Sequence, residues 1–389
     1  MKYLNQMLEW NKKNGYLINS DIKKQIQKQI RIHKKYIYRL DRVEQFIDFT
    51  ESNFMLTTGD LRLIVLLPTQ KWWFELMLGY DMINEQGEQV QLVNEIFLNV
   101  GRGTGKSSLM ATRVLNWMIL SGQFGGEAQV IAYDNKQAKH VFEQVKNQAK
   151  ASPIVSELSD LNQFKSTKTG LQFDVMLTKF SKQTNDTNRA QGGNTSLNIF
   201  DDVHTYTHDI TEAVNKGSRQ KQKNWQSIYI TSGGTKRNGL YDTMIKRFTS
   251  DEEFENDRSV ALLYRLEDKS QVKDKKNWSM ALPLIGHLPS MQSVNEEYEL
   301  SKQNPILQVM FLAMNMGLQM NDTAYYFTAQ ESLKHEFDLS VFNGAKTYIG
   351  IDLSLSNDLT TVAFLCKPDD NYYLHTISFT THKNLENCG

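Results

Sequence analysis

The sequence predicts an α/β fold, a parallel sheet flanked by helices, on three observations. A short apolar run, Glu95-Ile96-Phe97-Leu98-Asn99, feeds a glycine-rich turn that opens into a helical pattern from Leu109 to Leu115. Beyond it, apolar runs of strand length alternate with helix-period segments, as crossover connections between parallel strands require. After a polar stretch near residue 345, three further apolar runs predict a separate β-rich domain.

Composition bounds the function classes. The 389 residues are 40% hydrophobic and 23% charged, ordinary for a globular protein of two to three domains. Forty-four Lys and Arg balance 44 Asp and Glu. With no global basic field, any nucleic-acid surface must be local. Cys366 and Cys388 are too few for a disulfide framework, which points to a reducing compartment. No apolar run nears the roughly 20 residues that span a bilayer, and the N-terminus lacks the apolar core of a signal peptide. A cytoplasmic chain without a membrane partner is expected.

Four segments are expected: helices over 1–66, an α/β domain over 67–250, a connector or lid completing it over 251–344, and a further domain over 345–389. In the first, Ile22, Ile26, Ile30 and Ile37 recur at near-helical spacing among Lys23, Lys24, Lys28, Arg31, Lys34, Lys35 and Arg39. Such a face is either solvated and packed on its neighbour or a basic surface that touches DNA or a partner. Pro68 starts a helix within Leu67-Pro68-Thr69-Gln70, about 35 residues before Lys106. The Gln70 amide both donates and accepts, which suits an adenine edge.

The central stretch is Val100-Gly101-Arg102-Gly103-Thr104-Gly105-Lys106-Ser107-Ser108. Between a strand and a helix, such a loop exposes backbone N–H groups and the positive end of the helix dipole, together a phosphate cradle. The chemistry implied is a P-loop NTPase: Gly101 to Gly105 around the phosphates, Lys106 on the β/γ-phosphates, Ser107 on Mg²⁺. Val100 stands where the usual pattern begins with glycine.

Ala128 to Tyr133 is a buried strand, and the helix after it carries Val141, Phe142 and Val145. Residues 180–195 are polar and predict a surface loop, where Arg189 either reaches the γ-phosphate or is simply solvated. Leu197 to Phe200 is an apolar strand ending on Asp201 and Asp202. One acid there suits Mg²⁺ and the next suits orienting the attacking water, with a helix cap as the plain alternative. His204 and Tyr206 are expected to be structural. Ser227 to Ile230 runs into Thr231 and Ser232, hydroxyls at a strand end where open α/β sheets bind ligands. Lys216, Arg219, Lys221 and Lys223 precede it as a candidate contact to DNA phosphates. Residues 251–300 predict irregular structure. The methionines 310, 314, 316 and 320 lie on a helical stretch expected to be core.

Taken together, these pieces resemble the large subunit of a tailed-phage terminase, the ATP-driven motor that packages DNA into proheads. The resemblance covers most of the chain, from the Asn14-Gly15-Tyr16 turn onward. It rests on Leu67–Gln70, the arginine-bearing P-loop 101–107, Asp201-Asp202-Val203-His204, Thr231-Ser232-Gly233, Asn315, and Gly350-Ile351-Asp352-Leu353-Ser354 with Asp358-Leu359-Thr360. It implies ATP and Mg²⁺ as cofactors, and Arg102 or Arg189 as a finger across a homo-oligomeric ring. It also implies double-stranded DNA, the portal protein and the small terminase subunit as partners in the host cytoplasm. An RNase H-like nuclease domain is implied from residue 345, with Asp352 as its first metal ligand. Two-metal cleavage needs further acids placed so that both metals sit about 4 Å apart. The roughly 45 residues from 345 do not supply them, so this chain alone is expected not to cut DNA. Asp202 departs from the family's usual glutamate by one methylene, about 1.5 Å of reach. Either the loop compensates, or hydrolysis is slow until a partner or DNA engages. The competing classes are a helicase-like ATPase that remodels DNA and a degenerate prophage remnant that binds nucleotide without turnover.

Overall fold

The first 66 residues form α1 (Lys2–Asn14), α2 (Ser20–Lys35) and α3 (Leu40–Asn53), with short strands β1 (Ile37–Tyr38), β2 (Met55–Leu56) and β3 (Arg62–Leu63). Asn19 caps α2 by accepting the Ile22 N–H at 2.9 Å. The buried stripe of α2 is Ile22, Gln25, Lys28, Gln29 and Ile32. The isoleucine spacing therefore misleads: Ile30 is exposed, and Ile37 lies beyond the helix in β1. Polar residues face inward because each finds a partner. Gln29 Oε1 accepts the Trp72 indole N–H, and the Lys28 ammonium donates to Glu253 O and Ser259 Oγ. Arg31 and Lys35 both close on Asp257, at 2.9 and 3.0 Å. These three cations of the stretch expected to be either solvated or DNA-facing are thus engaged within the fold.

The computed structural model describes residues 1–59, 61–121, 123–133, 135–184, 195–206, 210–320, 337–353 and 360–379. The chain divides into two units, Met1–Thr323 and Ala324–Gly389. In the first, α4 (Pro68–Leu78) is buried almost all round. Its Glu75 carboxylate accepts the N–H groups of Tyr3 and Leu4, at the positive end of α1. Strands β4 (Tyr80–Ile83) and β5 (Gln89–Gln91) form a small sheet with β1.

The main sheet takes β6 (Glu95–Asn99), β7 (Glu127–Ala132), β8 (Phe164–Ser166), β9 (Gly170–Phe173), β10 (Thr178–Thr184), β11 (Thr195–Phe200), β12 (Gln226–Thr231) and β13 (Ser259–Leu263). Their order is β13-β6-β12-β11-β7-β10-β9-β8. The first six are mutually parallel, while β9 and β8 extend the edge antiparallel. Every residue of β11 and β12 is buried, as in a parallel sheet covered on both faces. Helix α5 (Lys106–Leu120) carries the chain from β6 across to β7; α6 (Asn135–Ala151) and α7 (Pro153–Asp160) follow it.

Residues 251–300, expected to be irregular, contribute β13 to the sheet edge beside β6, and 3₁₀ turns around the wholly buried Trp278. Charged neighbours hid this five-residue strand, since Asp257 and Arg258 immediately precede it. In the methionine-rich stretch, the helix Pro305–Met314 buries Phe311, Leu312 and Met314 but leaves Met310 exposed.

In the second unit β14 (Thr347–Asp352), β15 (Thr360–Cys366) and β16 (Tyr373–Phe379) form an antiparallel meander. Its register pairs Asp352 with Thr361 and Thr361 with Ser378. The three runs anticipated from residue 345 onward are these strands.

Candidate active site

Strands β6, β12 and β11 are neighbours, and the loops leaving their C-terminal ends converge. After β6 the chain turns through Val100 to Gly105 into α5. Val100 is wholly buried, and its N–H extends the ladder to Thr231 O at 3.1 Å. That position is a strand end rather than a turn, so the freedom of glycine is unnecessary there. Gly105 does need it, with φ +77°. Gly101 is required by proximity: a Cβ there would lie 2.4 Å from Asn315 O and 2.4 Å from Leu282 Cδ2. Thr104 Oγ1 donates to Gly101 O at 2.8 Å and ties the loop across itself. The Gly101 and Arg102 N–H groups are taken by Ala281 O and Met314 O. The anion cradle therefore falls to the N–H groups further along, including the first turn of α5, which have no intrahelical acceptor.

Lys106 folds back on the loop, its ammonium donating to Val100 O at 2.9 Å and Gly101 O at 3.4 Å. Burial pulls it down to about 8, while Asp202 and Asp201 oppose that shift. Asp201, 5% exposed, follows β11, and its N–H donates to Ile131 O. Burial first, then the Asp202 charge, pushes its carboxyl up to about 7, against the pull of Lys106. Asp202 is half-buried and left-handed, with φ +50°, a conformation that aspartate and asparagine tolerate better than longer side chains. His204, expected to be structural, links the two loops. Its Nδ1 lies 3.0 Å from Thr231 Oγ1 and 3.9 Å from Asp202 Oδ1. Burial pulls its imidazole below the usual range. A chain of contacts thus runs from Asp202 through His204, Thr231 and Val100 to Lys106.

These loops open on a cleft of about 940 Å³. Arg102 to Leu109, Asp201, Asp202 and Ser232 line it, so Arg102, Gly103, Thr104, Gly105, Lys106 and Ser107 meet the two acids in one place. Gly101 and Thr231 sit behind this lining, buried. Gln70 lines the cleft too, but its Oε1 accepts the Leu67 N–H at 2.9 Å and caps α4. Its N–H₂ is therefore the half left for a ligand, a narrower role than donating and accepting alike. Arg189 lies outside the described residues. Asp352 ends β14 in the second unit, exposed. Among the described residues no group of three or more His, Cys, Asp and Glu side chains gathers around a metal position.

The cleft also has walls that pattern reasoning missed. Ile64, Val65 and Leu66 form an apolar side, and His140 and Gln144 enter from α6. His287 and Leu288 come from the stretch expected to be irregular. They are held from behind by α1 and the turn after it: His287 packs on Trp10, with ring centroids 5.4 Å apart, and Tyr16 donates to Ile285 O. No local sequence signal marks these residues, because strands and helices far apart in the chain bring them together.

Comparison with known proteins decides the family. Residues 68–249 match the family described as terminase large subunit, ATPase domain, and residues 253–388 match terminase large subunit, endonuclease domain. The terminase large subunits of Lactococcus phages p2 and SK1 are each 66% identical over 386 residues, 99% of this chain and 72% of theirs. The chain belongs to the terminase large subunit family. In fold it is similar to the crystal structure of the HK97 bacteriophage large terminase, with a TM-score of 0.61 and 18% identity over 90% of this chain and 70% of that one. The terminase thus carries both domains of a DNA-packaging motor, an ATPase and a nuclease. Its endonuclease match opens at 253, just before β13, whereas the antiparallel meander begins at 347. An ATPase domain and a nuclease domain imply use of a nucleotide and of divalent metal. No helix among the described residues is long and apolar enough to cross a membrane.

Proposed function

We propose that the cleft binds and hydrolyses Mg·ATP to drive double-stranded DNA into proheads. One observation carries the proposal: Lys106, Ser107, Asp201 and Asp202 line a single cleft at the C-terminal ends of neighbouring parallel strands, where open α/β sheets bind ligands. The donor set fits the metal. A buried carboxyl held near neutrality beside a second acid and a serine hydroxyl is a hard-oxygen site that a divalent cation would relieve. Ser107 and Asp201 would hold Mg²⁺, which when bound neutralises charge on the β- and γ-phosphate oxygens. Lys106, released from its two carbonyls, would take the phosphates. Asp202 orients the attacking water, with His204 and Thr231 fixing its loop. Arg102, exposed at the mouth, or Arg189 supplies positive charge to the transition state, within the subunit or across a ring. The apolar side at 64–66 and the Gln70 N–H₂ receive the base.

Double-stranded DNA, the portal and the small subunit are the partners this role requires, in the host cytoplasm. Of the basic cluster considered for DNA, Arg219 pairs with Glu212 and Lys223 with Glu88, which supports a solvated face there instead. In the nuclease, we assign Asp352 to the metal. Mn²⁺ titrated calorimetrically should bind the Asp352→Ala chain more weakly than wild type, and equal binding by both would overturn the assignment. Plasmid nicking that appears with metal and vanishes in Asp352→Ala would overturn the expectation that this chain alone does not cut DNA. For the motor, the test is steady-state ATP turnover in Lys106→Ala and Asp202→Asn. Turnover at wild-type rate in both would sink the nucleotide assignment, while DNA-stimulated turnover without strand separation separates packaging from a helicase.

A further inference from the structure

At the opposite end of the parallel sheet from the P-loop lies a second cavity, of about 190 Å³. It is reached from the N-terminal ends of β11 and β12 and from the far half of α5, through Ser196, Gln226, Arg113, Asn116 and Trp117. Arg113 is 5% exposed, yet no carboxylate pairs with it among the described residues. Its Nε and Nη2 both donate to one neutral acceptor, Gln226 Oε1, at 3.3 and 3.1 Å. A buried cation without a counter-ion is costly. Burial, then the neighbouring Arg42 charge, pushes the guanidinium down to about 9, the direction expected of an uncompensated cation.

The surroundings do not supply the missing charge. Arg39 and Arg42 also line the cavity, and they share Asp81, which lies outside the lining; Arg39 pairs with the exposed Asp41 as well. Among the described residues no Asp or Glu lines the cavity. Two further polar atoms there are buried with no hydrogen-bond partner, Ser196 Oγ and Asn116 Oδ1. The first can donate to an oxyanion, and the second can accept from a protonated one or from its water.

We propose that this cavity binds a phosphate group, with Arg113 as its principal ligand and Ser196 beside it. A guanidinium fork matches phosphate oxygens in pairs. The volume lies below the range of about 300–1,000 Å³ usual for nucleotide-sized ligands, so one phosphate group is favoured over a whole nucleotide. Free phosphate and a phosphate of a DNA backbone present the same chemistry. The site shares α5 with the nucleotide cleft but none of its lining residues, and it does not depend on the nucleotide assignment.

The test starts from the full-length Lys106→Ala chain, which removes the P-loop as a competing phosphate site. Inorganic phosphate and a blunt duplex oligonucleotide are titrated calorimetrically at constant ionic strength. Asn224→Asp and, separately, Arg113→Gln are then added. Asn224→Asp retains the oxygen that accepts the Gln91 N–H at 2.8 Å, so it keeps the fold while placing a negative charge in the lining. Phosphate binding weakened about tenfold or more by both changes supports the site with the free ion as ligand. Weakening confined to the duplex supports it with backbone phosphate as ligand. Binding unaltered by either change, or absent from the parent chain for both probes, overturns the proposal. With Lys106 intact, ATP turnover in Asn224→Asp should stay within about twofold of wild type, so this site can fail without the nucleotide assignment failing.

Discussion

The Asp201 carboxyl offers the sharpest test of the cleft's electrostatics. In the nucleotide-free protein it titrates near 7, against 3.8 for an ordinary aspartate, because it is buried beside Asp202. An acid whose native pKa is raised binds its proton more tightly folded than unfolded. Stability is then fully present below about pH 4 and falls as pH rises toward 7, levelling off above it. At 1.36 kcal/mol per unit, a shift of about three units amounts to about 4 kcal/mol at pH 8, an upper bound. About 2–3 kcal/mol of that accrues between pH 5 and pH 8. Asp201→Asn keeps the shape and cannot ionise. Urea denaturation of both chains without nucleotide should therefore show the variant gaining on wild type by about 2–3 kcal/mol across that interval. Saturating Mg·ATP should stabilise wild type and leave the variant nearly unchanged, since a ligand stabilises only the state that binds it. Parallel stability curves from pH 5 to 8 would refute the account, showing an Asp201 that is ionised throughout.

Other consequences follow from the same geometry. Lys106→Ala should cut ATP turnover by about a hundredfold or more, read in a phosphate-release assay, because among the described residues no other ammonium lines the cleft beside the loop. Asp202→Asn should lower turnover by a similar factor while leaving urea stability within about 1 kcal/mol, since asparagine tolerates the left-handed backbone as well as aspartate does. Gly101→Ala should cost about 1–3 kcal/mol in denaturation and weaken nucleotide binding, because its Cβ would press on Asn315 O and Leu282.

Much of this terminase was legible along the chain, where short-range chemistry speaks. The strand–loop–helix at 95–120, the acids closing β11 and the hydroxyls closing β12 each follow from a local pattern of apolar run and terminal polar group. The three strands after residue 345 did too. What escaped were features whose meaning depends on a distant partner. The charge on α2 looked like a surface until Asp257, Glu253 and Ser259 came to meet it. Strand β13 was hidden among charges because four apolar residues are too few to show a period. Whether His287 and Leu288 face the nucleotide cleft, and whether Arg113 lacks a carboxylate, depends on how non-adjacent strands and helices close together. Periodicity records which face of an element is apolar; only packing decides what that face meets, and buried polar groups take their role from the partner they find.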